Sequence, residues 1–356
     1  DVTPVGFTKA GKTLATLIAK QGQHVSIDRL RWAGNGNFVT ATLSVDAQSY
    51  SYHIFDLNLG TDTKISDFYF KTKHTDALVP TETVQITARD GMKLNALLLR
   101  PKGVDGAAPM VLEVHGGPAG QVKWEYHHFR QFLANRGYAV LAVNFRGSSG
   151  LGKIYQAAGY GEYGRKMQDD LVDATLWAID QGIADPKAIA INGSSYGGYA
   201  SAMGLVRDPD LFKAGIIEHA MLDVAYQSQY PPHSWGLYLG QWERYFGDIN
   251  SPGDMEKMHQ RSPINLVAQM QAAALMVAGK RDPVVGFEQT ERFITKAKDL
   301  GKNIDSLIFE DEGHGIDKWQ SETRRARRIE DFLAEHLGGR SGNWDWIELI
   351  AAYLDK

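Results

Sequence analysis

From residue 83 onward, short apolar runs alternate with amphipathic stretches. The runs are "MVLEV" (110–114), "YAVLAV" (138–143), "AIAI" (188–191), "AGIIEH" (214–219), "AALMVAG" (273–279) and "DSLIFE" (305–310). Segments apolar at consecutive positions suit strands buried on both faces, as in a parallel sheet. Between them the pattern predicts helices near 124–136, 165–181, 196–207, 286–300 and 321–337. In the second, Leu171, Ala174, Ala178 and Ile179 share one face at helical spacing. Ahead of these lies "TVQITARDGMKLNALLLRP" (83–101), which reads as two alternating strands about the Asp90-Gly91 turn. Such alternation predicts an α/β fold, a doubly wound, mostly parallel sheet, over residues 83–356.

Residues 1–82 read differently. "FVTATLSVD" (38–46) and "SYSYHIFDLNLG" (49–60) are rich in Val, Thr, Tyr and Phe and bounded by turn residues, which predicts an all-β segment with a hairpin loop at "DLNLGTDTK". Too few strands fit to close a barrel or propeller. At the other end, "NWDWIELIAAYL" (343–354) is an apolar tail that either packs on its own domain or makes a subunit contact in a homo-oligomer.

Composition narrows the functional classes. The 356 residues are 43% hydrophobic and 22% charged, ordinary for a globular chain. A net charge of −4 gives no electrostatic case for nucleic acid or anionic membranes. The chain contains no cysteine, which excludes disulfides, thiolate catalysis and cysteine-ligated zinc. No apolar run approaches the roughly 20 residues of a membrane span. The chain opens on Asp1, so a native start ahead of it is taken to have been removed, and the compartment, cytoplasmic or periplasmic, stays open.

Ligands of doubly wound sheets gather at the carboxyl ends of the strands. His115-Gly116-Gly117-Pro118 follows the first run, Asn144-Phe145-Arg146-Gly147 the second, and Gly193-Ser194-Ser195-Tyr196-Gly197 the third. Asp282 comes just after "ALMVAG" and His314 just after "LIFE". The third segment fits G-x-S-x-G with strand before and helix after, the context of a nucleophile elbow, and its register selects Ser195, with Ser194 as spacer. A serine nucleophile needs a base, and the base an orienting carboxylate, in the order Ser, Asp or Glu, His for this fold. Two histidines follow Asp282. His336 sits late in a helix, where it suits the terminal dipole. His314, in the loop "DEGHG", is the expected base. Asp282 is the expected orienter; Asp311 and Glu312 are rivals on the same loop as His314. The oxyanion donors would be the backbone N–H groups of Tyr196 and Gly117. His115 is expected to shape its loop.

Together, "VHGGPAGQ", "GYAVLAVNFRGSSGLGK", "EYGRKMQDDLVDATLWAIDQGIADPKAIAINGSSYGGYASAMG" and "DEGHG" resemble the prolyl oligopeptidase family of serine peptidases, in its acylaminoacyl-peptidase and dipeptidyl-peptidase-like branch. The resemblance runs from about residue 83 to 338. It implies an α/β-hydrolase domain, Ser195, Asp282 and His314 as triad, short peptides as substrates, and no cofactor or metal. It also implies an S1 pocket drawing on Trp235, Tyr238 and Val285. Residues 1–82 are similar to the last blade of the family's N-terminal β-propeller, a partial remnant too short for a whole blade. A carboxylesterase with the same triad, and a catalytically inactive interaction domain, are the competing readings.

Three other motifs are set aside. "GSSGLGKI" (147–154) matches the start of a P-loop, but Ile154 replaces the required hydroxyl. Adjacent His127 and His128 should point apart on a helix, which disfavours a metal site. "TRRARR" (323–328) is expected to be the solvated face of the last helix.

Overall fold

The structure, a computed structural model, describes residues 6–22, 25–45, 50–67, 75–236, 239–342 and 350. The apolar tail 343–354 lies almost wholly outside them.

The N-terminal segment is not all-β. It opens with helix α1 (Lys9–Ala19), whose amide at Gly11 is capped by Thr8 Oγ1 at 3.1 Å. Leu14, Leu17 and Ile18, spaced i, i+3 and i+4, cover Val39, Ala41, Leu43 and Phe55 of the sheet beneath. That sheet is an antiparallel meander of β1 (Val25–Ala33), β2 (Phe38–Val45), β3 (Ser51–Asp56) and β4 (Thr61–Asp67), in sequence order. Four such strands within residues 25–67 match the size of a complete propeller blade, about 40–45 residues, so the stretch is long enough for one. The expected hairpin joins β3 to β4. Tyr50 Oη donates to Glu125 at 2.7 Å and the Tyr126 amide to Ser44 Oγ at 2.9 Å, tying this sheet to the rest of the chain.

The larger sheet has eight strands: β5 (Thr81–Thr87), β6 (Lys93–Leu99), β7 (Ala108–Val114), β8 (Ala139–Asn144), β9 (Ala184–Ser194), β10 (Ala214–Glu218), β11 (Ala273–Gly279) and β12 (Ile304–Phe309). Their order is β12-β11-β10-β9-β7-β8-β6-β5. The first six in that order run parallel, and the β6–β5 hairpin attaches antiparallel to β8. Helices cover both faces: α2 (His128–Asn135), α3 (Lys153–Ala157), α4 (Lys166–Asp180), α5 (Tyr196–Arg207), an excursion of α6 (Val224–Gln229), α7 (Leu239–Phe246), α8 (Pro252–Gln260) and α9 (Pro263–Leu266), then α10 (Phe287–Asp299) and α11 (Trp319–Leu337). Leu171, Ala174, Leu205 and Phe293 pack on one face of the sheet, and Leu133, Ile329 and Leu333 on the other. This doubly wound sheet, with its antiparallel start, is the α/β-hydrolase fold.

The basic run of α11 is not simply a solvated face. Arg325 turns inward, its Nη2 meeting Glu218 at 2.8 Å, and Arg327 pairs with Glu330 at 3.1 Å. Nor do His127 and His128 point apart. His127 is the extended N-cap of α2, outside the helical turn, and the two rings stack with centroids 5.4 Å apart.

Arg146, just past β8, is itself buried and bridges two carboxylates, buried Asp170 and exposed Asp90. It meets Asp170 of α4 at 2.6 and 2.8 Å and Asp90 at 2.8 and 3.0 Å. Hydrogen bonds from Arg146 hold the Asp90 carboxyl well below the usual carboxylate range. Burial pushes the fully enclosed Asp170 up, with Arg146 opposing it. Arg146→Met should leave buried Asp170 without a counter-charge, held only by the backbone amide of residue 146, and cost about 3–5 kcal/mol. Urea unfolding should show it, and Asp170→Leu added to Arg146→Met should recover part of the loss.

Candidate active site

At the carboxyl edge of the sheet, β9 ends at Ser194 and α5 begins at Tyr196, leaving Ser195 alone at the junction. Its φ of 60° and ψ of −118° lie where L-residues rarely sit. The surroundings over-determine this strain: the Ser195 amide donates to Glu218 O at 2.9 Å, and its carbonyl accepts from the Tyr199 amide at 3.0 Å. The glycines are needed because backbones cross here. A Cβ on Gly193 or Gly197 would collide with the Val114 carbonyl, and one on Gly198 with the Glu218 carbonyl. Ser194 pairs with Glu218 across the sheet at a negative φ, a position that does not demand glycine.

The loop after β7 lies against this turn: a Cβ on Gly116 would stand 3.5 Å from Ser195 Cβ. Gly117 adopts a φ of 130° that a side chain would strain. His115 braces the loop. Its Nδ1 meets Gly116 O at 2.7 Å, its Nε2 meets Ser148 Oγ at 2.8 Å, and its ring stacks on Phe145 at 4.4 Å. Burial lowers its pKa to about 4, so it is neutral at physiological pH. Within the P-loop-like stretch, the Ser149 amide donates to Gly120 O at 2.9 Å, so that segment buttresses the same loop. Tyr196 is the first residue of α5, where backbone N–H groups are free and the helix dipole favours negative charge. Its buried ring packs on Phe145 and Tyr163 with centroids 5.1 and 5.0 Å away.

Asp282, past β11, and His314, past β12, come together: His314 Nδ1 donates to Asp282 Oδ2 at 2.8 Å. Asp282 Oδ1 accepts the amides of Val284 and Val285 at 2.8 and 2.9 Å. Its carboxyl is 3% exposed. Burial opposes its charge, but the facing His219 and His314 side chains and the Val285 amide outweigh that and hold it well below the usual range. The rival acids are engaged elsewhere. Asp311 makes surface pairs with Arg281 and Lys318, and Glu312 accepts the amides of Asp317 and Lys318. His336 packs edge-on against Phe332, in the last turn of α11.

Beside the Gly117 loop opens a pocket of about 350 Å³. Gly117–Gly120 bound one side, and Trp235, Gln241, Trp242, Tyr245 and Val284 the other. Trp235 and Trp242 stack at 4.5 Å. Of the three residues expected here, Trp235 lines the pocket. Val285 is buried with its amide turned to Asp282, and its neighbour Val284 lines the wall instead. Tyr238 lies outside the described residues. Larger hollows, about 510 Å³ along α1 and about 500 Å³ between β1 and β6, touch none of these site residues. Sequence reasoning missed Trp242, Tyr245 and, facing Asp282, His219. The last of these ends the run "AGIIEH" at the same carboxyl edge, which is the signal that could have found it.

Residues 124–340 match the family model described as "Prolyl oligopeptidase family". Dipeptidyl aminopeptidase BIII of Pseudoxanthomonas mexicana is 34% identical over 88% of this chain and 48% of its own length. Acylamino-acid-releasing enzyme 1 of Oryza sativa subsp. japonica is 25% identical over 77% of this chain and 36% of its own. The structure of a puromycin-hydrolysing peptidase of Mycobacterium tuberculosis superposes with a TM-score of 0.79 at 26% identity, covering 87% of this chain and 47% of that one. The chain thus spans half or less of the length of each of these proteins.

Proposed function

The chain belongs to the prolyl oligopeptidase family, and from that membership we propose that it is a serine peptidase that cuts short peptides through an acyl-enzyme. The observation that carries the reading is the Asp282–His314 hydrogen bond of 2.8 Å on the sheet edge that also presents the strained Ser195 turn. Ser195 Oγ attacks the scissile carbonyl while His314 Nε2 takes its proton. Asp282 holds the imidazole with Nδ1–H inward, so Nε2 is free to accept. The amides of Gly117 and Tyr196 receive the oxyanion. His314 then gives its proton to the leaving amine, and water enters by the same route in reverse. The pocket beside Gly117, walled by two stacked tryptophans, suits a bulky apolar side chain next to the cut bond. The peptidase names of two of these proteins, a dipeptidyl aminopeptidase and a puromycin-hydrolysing peptidase, support the same reading.

A peptide-library digest read by mass spectrometry tests this. Cleavage of short peptides after large apolar residues is expected. Turnover of p-nitrophenyl esters with no cleavage of peptides or peptidyl-anilides would replace the peptidase reading with a carboxylesterase.

A further inference from the structure

His219 follows β10 directly at a φ of 46°, one of three non-glycine residues with positive φ among the described residues, Ser195 being another. Its amide is fixed to Val277 O at 2.9 Å, and the carbonyl just before it accepts the Ser195 amide. The turn that carries His219 is therefore joined directly to the nucleophile's turn. Strain at two such points is retained where surrounding structure requires it. The His219 side chain is 2% exposed, and among the described residues neither ring nitrogen has a hydrogen-bond partner. A buried polar group left unpaired is destabilising. The ring nevertheless faces the site: Nδ1 stands 3.7 Å from Asp282 Oδ2, and its centroid lies 5.9 Å from that of His314 in an edge-on arrangement.

An ionised carboxylate offers about four acceptor positions. At Asp282 three are taken, by His314 Nδ1 and by the Val284 and Val285 amides. We propose that His219 supplies the fourth donor, its Nδ1–H closing on Asp282 Oδ2 to fix the carboxylate that orients His314. It is then a positioning residue, touching no substrate and acting through Asp282, and the proposal rests on the reading of Asp282 and His314 given above. The 3.7 Å separation fits a contact that tightens when substrate is bound, as hydrogen bonds of unliganded sites often do.

The test uses ¹⁵N-histidine NMR on the wild-type chain and kinetics on two variants. In the wild type, His219 should be protonated at Nδ1; a ring protonated at Nε2 alone overturns the proposal whatever the variants do. His219→Gly suits the positive φ and removes the donor. It should lower kcat roughly 10- to 100-fold with KM little changed, and shift the low-field proton resonance of His314 Nδ1–H. His219→Asn, which tolerates the same φ and restores an N–H donor, should recover most of both. Unchanged kcat and resonance in a folded His219→Gly, or a loss that His219→Asn does not repair, would overturn it. The resonance reads the Asp282–His314 bond without turnover, so an inactive wild-type chain would sink the peptidase reading while leaving this one decidable.

Discussion

Ser195→Ala is expected to lower kcat/KM for peptidyl substrates by about 100,000-fold or more while leaving the chain folded. The first half follows from the proposed chemistry, in which Oγ is the atom that would bond to the acyl group. The second half follows from the turn. Ser195 makes no side-chain capping bond to α5, so removing Oγ takes no support from the helix. Alanine at φ 60° is strained like serine, so the backbone cost is nearly unchanged. The urea midpoint should therefore stay within experimental scatter of the wild type, and a fluorophosphonate probe that labels the wild type should leave the variant unlabelled. Retained amide or ester hydrolysis in a pure, folded variant would remove Ser195 from the mechanism.

The large sheet was legible because its inner strands are buried on both faces. "AALMVAG" coincides with β11, every residue of which is enclosed. The pairing of Asp282 with His314 was legible for a related reason: a doubly wound sheet sends the ends of its strands to one edge, and the residues just past β11 and β12 meet there. Helix α1 was obscured by the β-rich stretch after it, although Leu14, Leu17 and Ile18 carried its period. The excursion α6–α9 left little trace, because its helices, of four to nine residues, are too short for a period to stand out and are held by packing. Within loops no period exists to tell one neighbour from the next. Val284 and Val285 both give their amides to Asp282, and only the folded loop decides which side chain faces the pocket. His219 is the same case across strands: one ring at the end of an apolar run, whose meaning depends on what the β11 loop carries opposite it.

Asp282→Asn should reduce kcat about 10,000-fold, with KM and stability much less affected. The geometry says why an isosteric change does so much. Oδ1 accepts two backbone amides, from Val284 and Val285, at 2.8 and 2.9 Å. An asparagine must leave its oxygen there, since its NH₂ would face two N–H donors. The NH₂ is then directed at His314 Nδ1, which now meets a donor where it met an acceptor at 2.8 Å. The imidazole answers by carrying its proton on Nε2, the nitrogen that should take the proton from Ser195. The base is present, in place and in the wrong tautomer. Burial adds a second loss: the carboxylate is held ionised despite its enclosure, and without that charge the imidazolium formed during attack has no counter-ion. Steady-state kinetics with ¹⁵N-histidine NMR should show the low kcat and the inverted His314 tautomer together. Near-wild-type turnover in Asp282→Asn would mean that another group orients His314.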